Sequence, residues 1–183
     1  MYKYGMIAIG AAAGIALGTA VATSQEEPPF GDPESVEYAG QLWQVLEENN
    51  LVGDDPIRGY PPYQGQEPHG LVLEQVEGTI TVEGHEGIFM VKTNFMAEDI
   101  TVEQVQEAEH REYLDSWTVM FQREDGYASD SNNWFWAKWM ADGEFDTTPD
   151  GVPLAGRVMG CITCHEAAPG GDFVYSHNRY GAE

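Results

Sequence analysis

The sequence predicts an α+β domain that consists of a mostly antiparallel β-sheet, an N-terminal helix and a C-terminal segment containing both cysteines. Apolar residues recur at helical spacing early in the chain, whereas its middle contains runs of β-branched and aromatic residues punctuated by glycines. The 183 residues are enough for one domain with a hydrophobic core.

The first 22 residues have the features of a signal peptide. Lys3 precedes an apolar stretch over Met6–Val21, and Ala20-Val21-Ala22 forms a small-residue cleavage site. An uncleaved membrane anchor is the alternative, but the apolar run is shorter than the about 20 residues of a spanning helix and is rich in Gly and Ala. Cleavage is therefore favoured over anchoring.

Three segments follow from this interpretation. We expect a signal peptide over residues 1–22, a polar linker over residues 23–31 and a single domain over residues 32–183. The mature protein is expected to be periplasmic or otherwise exported.

The charge balance excludes some classes of partner. The chain has 8 Lys and Arg residues against 31 Asp and Glu residues, which are spread along the sequence. This distribution indicates a solvated acidic surface, and it disfavours a nucleic-acid partner because phosphate groups would be repelled. A basic redox partner remains compatible with it.

The N-terminal helix is predicted over Pro33–Asn49. Asp32 can cap it, and Pro33 suits the first helical turn. The apolar positions at helical spacing are Val36, Ala39, Leu42, Trp43 and Leu46. From Asp54 to Gly70 repeated prolines and glycines predict a long loop.

Three strand-like runs follow that loop. Glycines at positions 78, 84 and 87 separate them into Leu71–Val76, Thr79–Glu83 and Gly87–Phe95. In the third run, alternation predicts two faces, with Ile88, Met90 and Lys92 on one and Phe89, Val91, Thr93 and Phe95 on the other.

The next part of the chain predicts a short helix and a hairpin. The helix is expected within Ile100–Tyr113, and the hairpin strands are Ser116–Gln122 and Asn133–Met140. Period two places Trp134 and Trp136 on one face of the second strand, with Phe135 and Ala137 on the other. After Met140 an irregular tail is expected to lie against the sheet.

That tail contains the sequence Cys161-Ile162-Thr163-Cys164-His165. The spacing suits two thioether bonds to the vinyl groups of a haem, and the adjacent histidine suits the proximal position on the iron. A redox dithiol would be expected between a strand and a helix, and a zinc site would need more soft ligands than two cysteines. We interpret the motif as the attachment site of one haem c, with Cys161 and Cys164 bonded to the porphyrin and His165 bonded to the iron.

The sequence leaves the sixth iron ligand open. No candidate has a haem-ligating motif of its own, and packing or exposure is the commoner role for each taken singly. A five-coordinate iron with an open distal face is therefore at least equally compatible. The candidates are Met90, Met96, Met120, Met140, Met159, His69, His85, His110 and His177.

Several segments together resemble the cytochrome P460 family, including its cytochrome c′-β relatives. The resemblance extends from about Pro68 to His177, and its order and spacing ahead of a late C-x-x-C-H motif are its most specific feature. Its segments are Pro68-His69-Gly70, Gly87–Lys92, Trp117–Phe121, Gly126-Tyr127, Asn133–Trp139 and Asp172–Ser176.

The resemblance implies a mostly antiparallel β domain, commonly a homodimer, in which one sheet face covers the distal side of a c-type haem. Members either oxidise hydroxylamine through a haem cross-linked to a lysine, or bind nitric oxide and carbon monoxide without turnover. Lys92 corresponds to the cross-linking lysine and is thereby implied as a haem-binding and catalytic residue. A carboxylate assists the enzymes, but Thr118 matches its position and Asp115 is the nearest upstream carboxylate.

Three hypotheses follow. The protein binds or oxidises a small nitrogen compound at an open haem site and passes electrons to another cytochrome, or it binds gases without turnover, or it is a monohaem electron carrier. In the gas-binding hypothesis, the residues that would restrict the distal pocket are Phe89, Met90, Phe95 and Phe121. Core packing is the alternative role, and it is favoured for most of them.

Overall fold

The computed structural model describes residues 30–59, 61–109 and 111–175. The predicted signal peptide, linker residues 23–29 and the candidate ligands His110 and His177 lie outside the described residues. The helices and strands are α1 (Pro33–Glu48), β1 (Tyr63–Gln64), β2 (Val72–Val82), β3 (His85–Phe95), α2 (Val102–Glu107), β4 (Leu114–Gln122), β5 (Trp134–Met140), β6 (Ala155–Gly156) and α3 (Met159–His165), with a 3-10 turn at Ser129–Ser131.

The described strands form one six-stranded antiparallel sheet in the order of the sequence. Each pairs with its neighbours in the chain, so short hairpin connections suffice for most of the sheet. The predicted α+β class with an N-terminal helix is confirmed. No helix among the described residues is long and apolar enough to span a bilayer.

The N-terminal helix α1 confirms the sequence prediction almost to the residue. The Asp32 side chain accepts hydrogen bonds from the backbone N–H groups of Glu34 (2.9 Å) and Ser35 (3.3 Å), which satisfies free donors of the first turn. Its buried face packs Leu42 and Leu46 against the sheet. This contact covers the side of the sheet that is turned away from the cysteines.

Strands β2 and β3 correct the prediction of three short strands. Both run for 11 residues and join through a tight turn in which Glu83 and Gly84 have positive φ (48° and 83°). Gly78 lies inside β2 opposite Phe89, where an added Cβ would come 3.0 Å from the phenyl ring. The glycine therefore makes room for a cross-strand aromatic ring and does not end the strand.

The two faces of the sheet carry separate apolar clusters. Phe89, Phe121 and Phe135 pack towards α1, whereas Trp134 and Trp136 pack towards α3. The predicted alternation in β3 and β5 is confirmed. We call the second face the cavity face; its residues at the centre of the sheet are Met90, Lys92, Thr118, Met120, Trp136 and Lys138.

The short helix predicted within Ile100–Tyr113 is present as α2 and has 6 residues. It begins after Thr101. The Thr101 side chain accepts a hydrogen bond from the backbone N–H of Gln104, and the Gln104 side chain accepts one from the backbone N–H of Thr101. It ends at Glu107 because Ala108 is extended (ψ 157°), and β4 then starts at Leu114.

The prediction of an irregular C-terminal tail is wrong for the cysteine motif. All of Cys161–His165 lies in α3, which follows the short strand β6. Ile162 and His165 are the buried residues of this helix, and Ile162 joins the apolar cluster of the cavity face. A helix of 7 residues that is stabilised by such packing leaves only a weak periodic signal.

Candidate haem site

A cavity of about 310 Å³ separates the cavity face from α3. A second cavity, of about 560 Å³, lies beside it next to the loop before β2. His69, Lys92, Cys164 and His165 line both. The first has a largely apolar wall, which includes Met90, Met120, Trp136, Leu154 and Val158.

Strand register positions the polar groups of this wall. Lys92 is paired with Thr118 across β3 and β4, and Thr118 is paired with Lys138 across β4 and β5. Directly paired residues share one face of a sheet, so the three side chains form a row across the cavity. The next row, Met90, Met120 and Trp136, is apolar.

His165 lies at the end of α3 and is only 5% exposed. Its Nδ1 is 2.7 Å from the carbonyl oxygen of Phe173, and its ring contacts Trp136 (4.7 Å between centroids) and Tyr175 (5.2 Å). These contacts fix the ring, and Nε2 is left available. The sequence did not identify Phe173 as the acceptor, because its carbonyl is oriented by a backbone with φ of 67° that only a structure reveals.

The surroundings keep the His165 imidazole neutral. Burial lowers its pKa to about 4, and the positive charge of Lys92 acts in the same direction, against the hydrogen bond to Phe173. A neutral imidazole is the form that binds a metal ion. His165 therefore has the orientation and the protonation state of a metal ligand.

Both cysteines of α3 are free thiols beside this histidine. Burial raises the pKa of the Cys161 thiol to about 11, and the neighbouring Cys164 adds to this effect. A redox dithiol requires the opposite, a stabilised thiolate. Within residues 30–59, 61–109 and 111–175, no group of three or more His, Cys, Asp or Glu side chains could hold a metal ion by itself.

The two lysines of the predicted domain both line the first cavity. Lys92 is 9% exposed, and burial lowers its pKa to about 8. Lys138 differs because its Nζ is 2.8 Å from Asp146 Oδ2 in an ion pair. Lys92 is thus the lysine with a substantial neutral fraction near physiological pH.

His69 enters the cavities from the loop before β2. Its Nδ1 is 3.0 Å from Thr118 Oγ1, and its ring centroid is 5.9 Å from that of His165. Burial lowers its pKa to about 3, and the positive charge of Lys92 adds to that effect. Sequence reasoning could not prefer His69 among the nine candidate sixth ligands, because its position depends on pairing between distant residues.

The model of the family Cytochrome P460 matches residues 72–176, which is more than half of the chain. The chain belongs to the cytochrome P460 family. Membership implies a c-type cytochrome that uses haem and iron. Comparisons with curated proteins and with solved structures gave no match.

The residues present fit the haem of a cytochrome P460. Two thiols and a neutral imidazole with a free Nε2 meet at one largely apolar cavity. An apolar wall suits the porphyrin ring, and Lys138 with its Asp146 partner supplies a polar edge.

The correspondence inferred from the sequence places Thr118 where the family's enzymes are expected to have a carboxylate. Asp115, the nearest upstream carboxylate, accepts a hydrogen bond from the Ser116 hydroxyl (2.9 Å) and does not line the first cavity. The described carboxylate that does line it, Asp146, is ion-paired with Lys138. Among the described residues, the first cavity therefore contains no carboxylate that is free of an ion pair, and Glu67 lines only the second cavity.

The structure also shows which of the other candidate distal residues line the first cavity. Met90 and Met120 line the first cavity, but Met159 is 57% exposed and His85 hydrogen-bonds to the backbone of β4. Phe89, Phe121 and Phe95 do not line it. They pack in the clusters on the α1 side and beside α2, so core packing, and not restriction of the distal pocket, is their role.

Proposed function

We propose that the protein is an exported monohaem c-type cytochrome of the P460 type that binds or oxidises a small nitrogen compound, such as hydroxylamine or nitric oxide. The observation that carries this proposal is the convergence of a neutral His165, Cys161, Cys164 and Lys92 on one largely apolar cavity. When bound there, haem supplies an iron atom that coordinates small ligands and exchanges electrons.

Three residues of α3 bind the haem in this proposal. Cys161 and Cys164 hold the haem through thioether bonds, and His165 binds the iron through Nε2. The Phe173 carbonyl accepts the Nδ1 proton of His165, which orients the ring and increases its basicity. One C-x-x-C-H motif and the only two cysteines of the chain correspond to one haem.

The cavity face determines which ligands can approach. Met90, Met120 and Trp136 exclude bulk water, so a small, uncharged molecule enters at lower cost than an ion. Lys92 contributes an amine that is partly unprotonated and lies beside the predicted haem edge. It is the proposed counterpart of the family's cross-linking and catalytic lysine.

Binding without turnover is a second candidate function, and Thr118 favours it. Oxidation of hydroxylamine releases protons that a group at the distal side must accept, and a threonine hydroxyl is a poor proton acceptor at neutral pH. The protein then resembles the gas-binding members of the family. Electron carriage alone is the remaining alternative.

The proposal includes a cellular setting. The signal-like residues 1–22 support export to the periplasm, where electrons would pass to another cytochrome. The net charge of −23 favours a partner with a basic docking surface and disfavours nucleic acid. A homodimer is proposed from the family relationship.

Spectroscopy of the purified mature protein tests the function. We expect the ferrous form to bind one nitric oxide per haem and to change its optical spectrum, and carbon monoxide should also bind. Incubation with hydroxylamine and an artificial electron acceptor then separates an enzyme, which reduces the acceptor over many turnovers, from a binding protein. A protein that binds neither gas and does not oxidise hydroxylamine would contradict the proposal.

A further inference from the structure

Two imidazole rings, those of His69 and His165, make an edge-to-face contact where the two cavities meet. The centroids of His69 and His165 are 5.9 Å apart, and the ring planes are inclined by 74°. Each ring is held at Nδ1, by Thr118 Oγ1 (3.0 Å) in one case and by the Phe173 carbonyl (2.7 Å) in the other. Neither Nε2 hydrogen-bonds to any of the described residues.

The distance between the two ring centroids is that expected for two histidines that bind one metal ion from opposite sides. A ligating histidine has its other ring nitrogen engaged by an outer partner, which fixes the ring. Metal–imidazole bonds are about 2 Å long and the ring centre lies about 1 Å beyond the nitrogen, so two opposed ligands have centroids about 6 Å apart. A ligand molecule held between His69 and the iron would require a clearly larger separation than 5.9 Å.

We infer that His69 is the sixth iron ligand of the resting protein, on the opposite side of the haem from His165. The inference rests on the proposed haem site and deepens it, because it states what occupies the distal position before a nitrogen compound binds. In the tautomer in which His69 donates its Nδ1 proton to the Thr118 hydroxyl, Nε2 carries no proton and can bind the iron. At the position of the family's carboxylate, threonine thus orients an imidazole.

The other candidates on the cavity face are less well placed for this role. Met90 and Met120 belong to the apolar cluster with Trp134 and Trp136, where their thioethers fill the core. Lys92 is the strongest rival because its pKa is lowered, but no described residue orients its amine by a hydrogen bond. His69 combines a fixed ring with a position facing the proximal histidine.

If His69 binds the iron, a small molecule must compete with the His69 imidazole for the same coordination position. The incoming ligand must displace the imidazole, so its apparent affinity falls by the fraction of protein in which the iron is free. Removal of the imidazole should therefore accelerate binding. This regulates the same site that the proposed function uses.

Spectroscopy of the wild-type haem protein tests the ligand directly and needs no variant. We expect electron paramagnetic resonance of the ferric form to show a low-spin haem. Near-infrared magnetic circular dichroism distinguishes two imidazoles from an imidazole paired with a thioether or an amine. A high-spin spectrum, or a charge-transfer band typical of methionine or lysine ligation, would overturn the inference.

Variants give an independent test. We expect His69→Ala to become high-spin, to recover the low-spin spectrum when imidazole is added, and to bind carbon monoxide about tenfold faster or more. His85→Ala is the matched control, because His85 hydrogen-bonds to the Gln122 carbonyl and lines neither cavity. A low-spin His69→Ala protein without imidazole would refute the assignment.

The outcomes separate the two proposals. Suppose that the wild type has two imidazole ligands, but that neither the wild type nor His69→Ala binds nitric oxide or oxidises hydroxylamine. The proposed function then fails, whereas the assignment of His69 as an iron ligand stands. If the wild type is high-spin and binds nitric oxide, the function stands and His69 is not the ligand.

Discussion

Lys92 on β3 and Thr118 on β4 are directly paired, and both side chains face the cavity that contains His165. By the correspondence inferred from the sequence, the pair combines the lysine expected to cross-link to the haem with a hydroxyl in place of a carboxylate. We therefore propose that modification of the haem and oxidation of a substrate depend on different members of this pair. They can therefore be tested separately.

Thr118→Glu should increase hydroxylamine oxidation. A carboxylate at this position can accept protons from a bound substrate, and such a group commonly contributes at least about a hundredfold to a rate. We expect an increase in kcat of about tenfold or more, since the new side chain is not optimised. Thr118→Gln is the control, because it also removes the hydroxyl that holds His69 but adds no base. Equal kcat values for the two variants would contradict this prediction.

Cys161→Ala and Cys164→Ala should each reduce covalent attachment of haem, and the double variant should abolish it, because each thiol forms one thioether bond. Haem staining on denaturing gels measures the attached fraction. Thr163→Ala is a matched control, since Thr163 lies between the two cysteines and is exposed. Staining of both single variants at wild-type strength would refute the assignment of these thiols.

The sequence predicted the fold where a local pattern determines it. The cap at Asp32 and the alternation around Trp134 and Trp136 defined α1 and β5 correctly. The strand break predicted at Gly78 was wrong, because the sequence alone does not distinguish a glycine that packs under a cross-strand ring from a glycine in a turn. The difference depends on Phe89, which is 11 positions away in the chain.

For the candidate site too, the sequence indicated the local motifs but not the contacts between residues that are distant in the chain. The C-x-x-C-H motif and the position of Lys92 were available from local sequence. The contacts of Phe173 with His165 and of Thr118 with His69 were not. The second of these joins residues 49 positions apart, and such contacts depend on sheet register, which one sequence specifies only indirectly.

Gly87→Ala should destabilise the protein more than Gly78→Ala. A Cβ at Gly87 would lie 2.1 Å from the Gln122 carbonyl oxygen and 2.7 Å from the Phe121 ring, so the backbone of two strands must shift. At Gly78 the nearest atom is 3.0 Å away in the Phe89 side chain, which can adjust more easily. We expect Gly87→Ala to lower the free energy of unfolding by about 1–3 kcal/mol. Denaturant titration of both variants measures this, and equal losses would argue against the register of β3 and β4.

Buried Lys92 should make the haem-free double cysteine variant more stable as the pH rises. Burial lowers its pKa from 10.5 to about 8 in the folded state, so between these values the unfolded chain binds a proton that the folded chain does not. The free energy of unfolding therefore increases with pH across this window, by up to about 3 kcal/mol. Adding Lys92→Met should remove this increase. Denaturant titrations at pH 7.5 and about 10 provide the comparison, and identical pH profiles with and without Lys92 would contradict a buried amine.

The last prediction is that Lys92 becomes covalently bonded to the haem edge in the mature protein. The family relationship supplies the expectation, and burial, by lowering the pKa of Lys92 to about 8, supplies a neutral amine that can act as a nucleophile. The new bond replaces an N–H and a porphyrin C–H, so two protons and two electrons are released, and an oxidant such as peroxide must take the electrons.

Peptide mass spectrometry of the haem-loaded protein, before and after treatment with peroxide, detects this bond. We expect the peptide containing Lys92 to be recovered with the haem peptide, and Lys92→Arg should abolish the link because a guanidinium remains protonated. Lys138→Arg is the matched control: Lys138 lines the same cavity but is ion-paired with Asp146, so the link should persist in this variant. Quantitative recovery of an unmodified Lys92 peptide after peroxide treatment would rule out the bond. A link that persists in Lys92→Arg but is lost in Lys138→Arg would show that the choice of lysine was wrong.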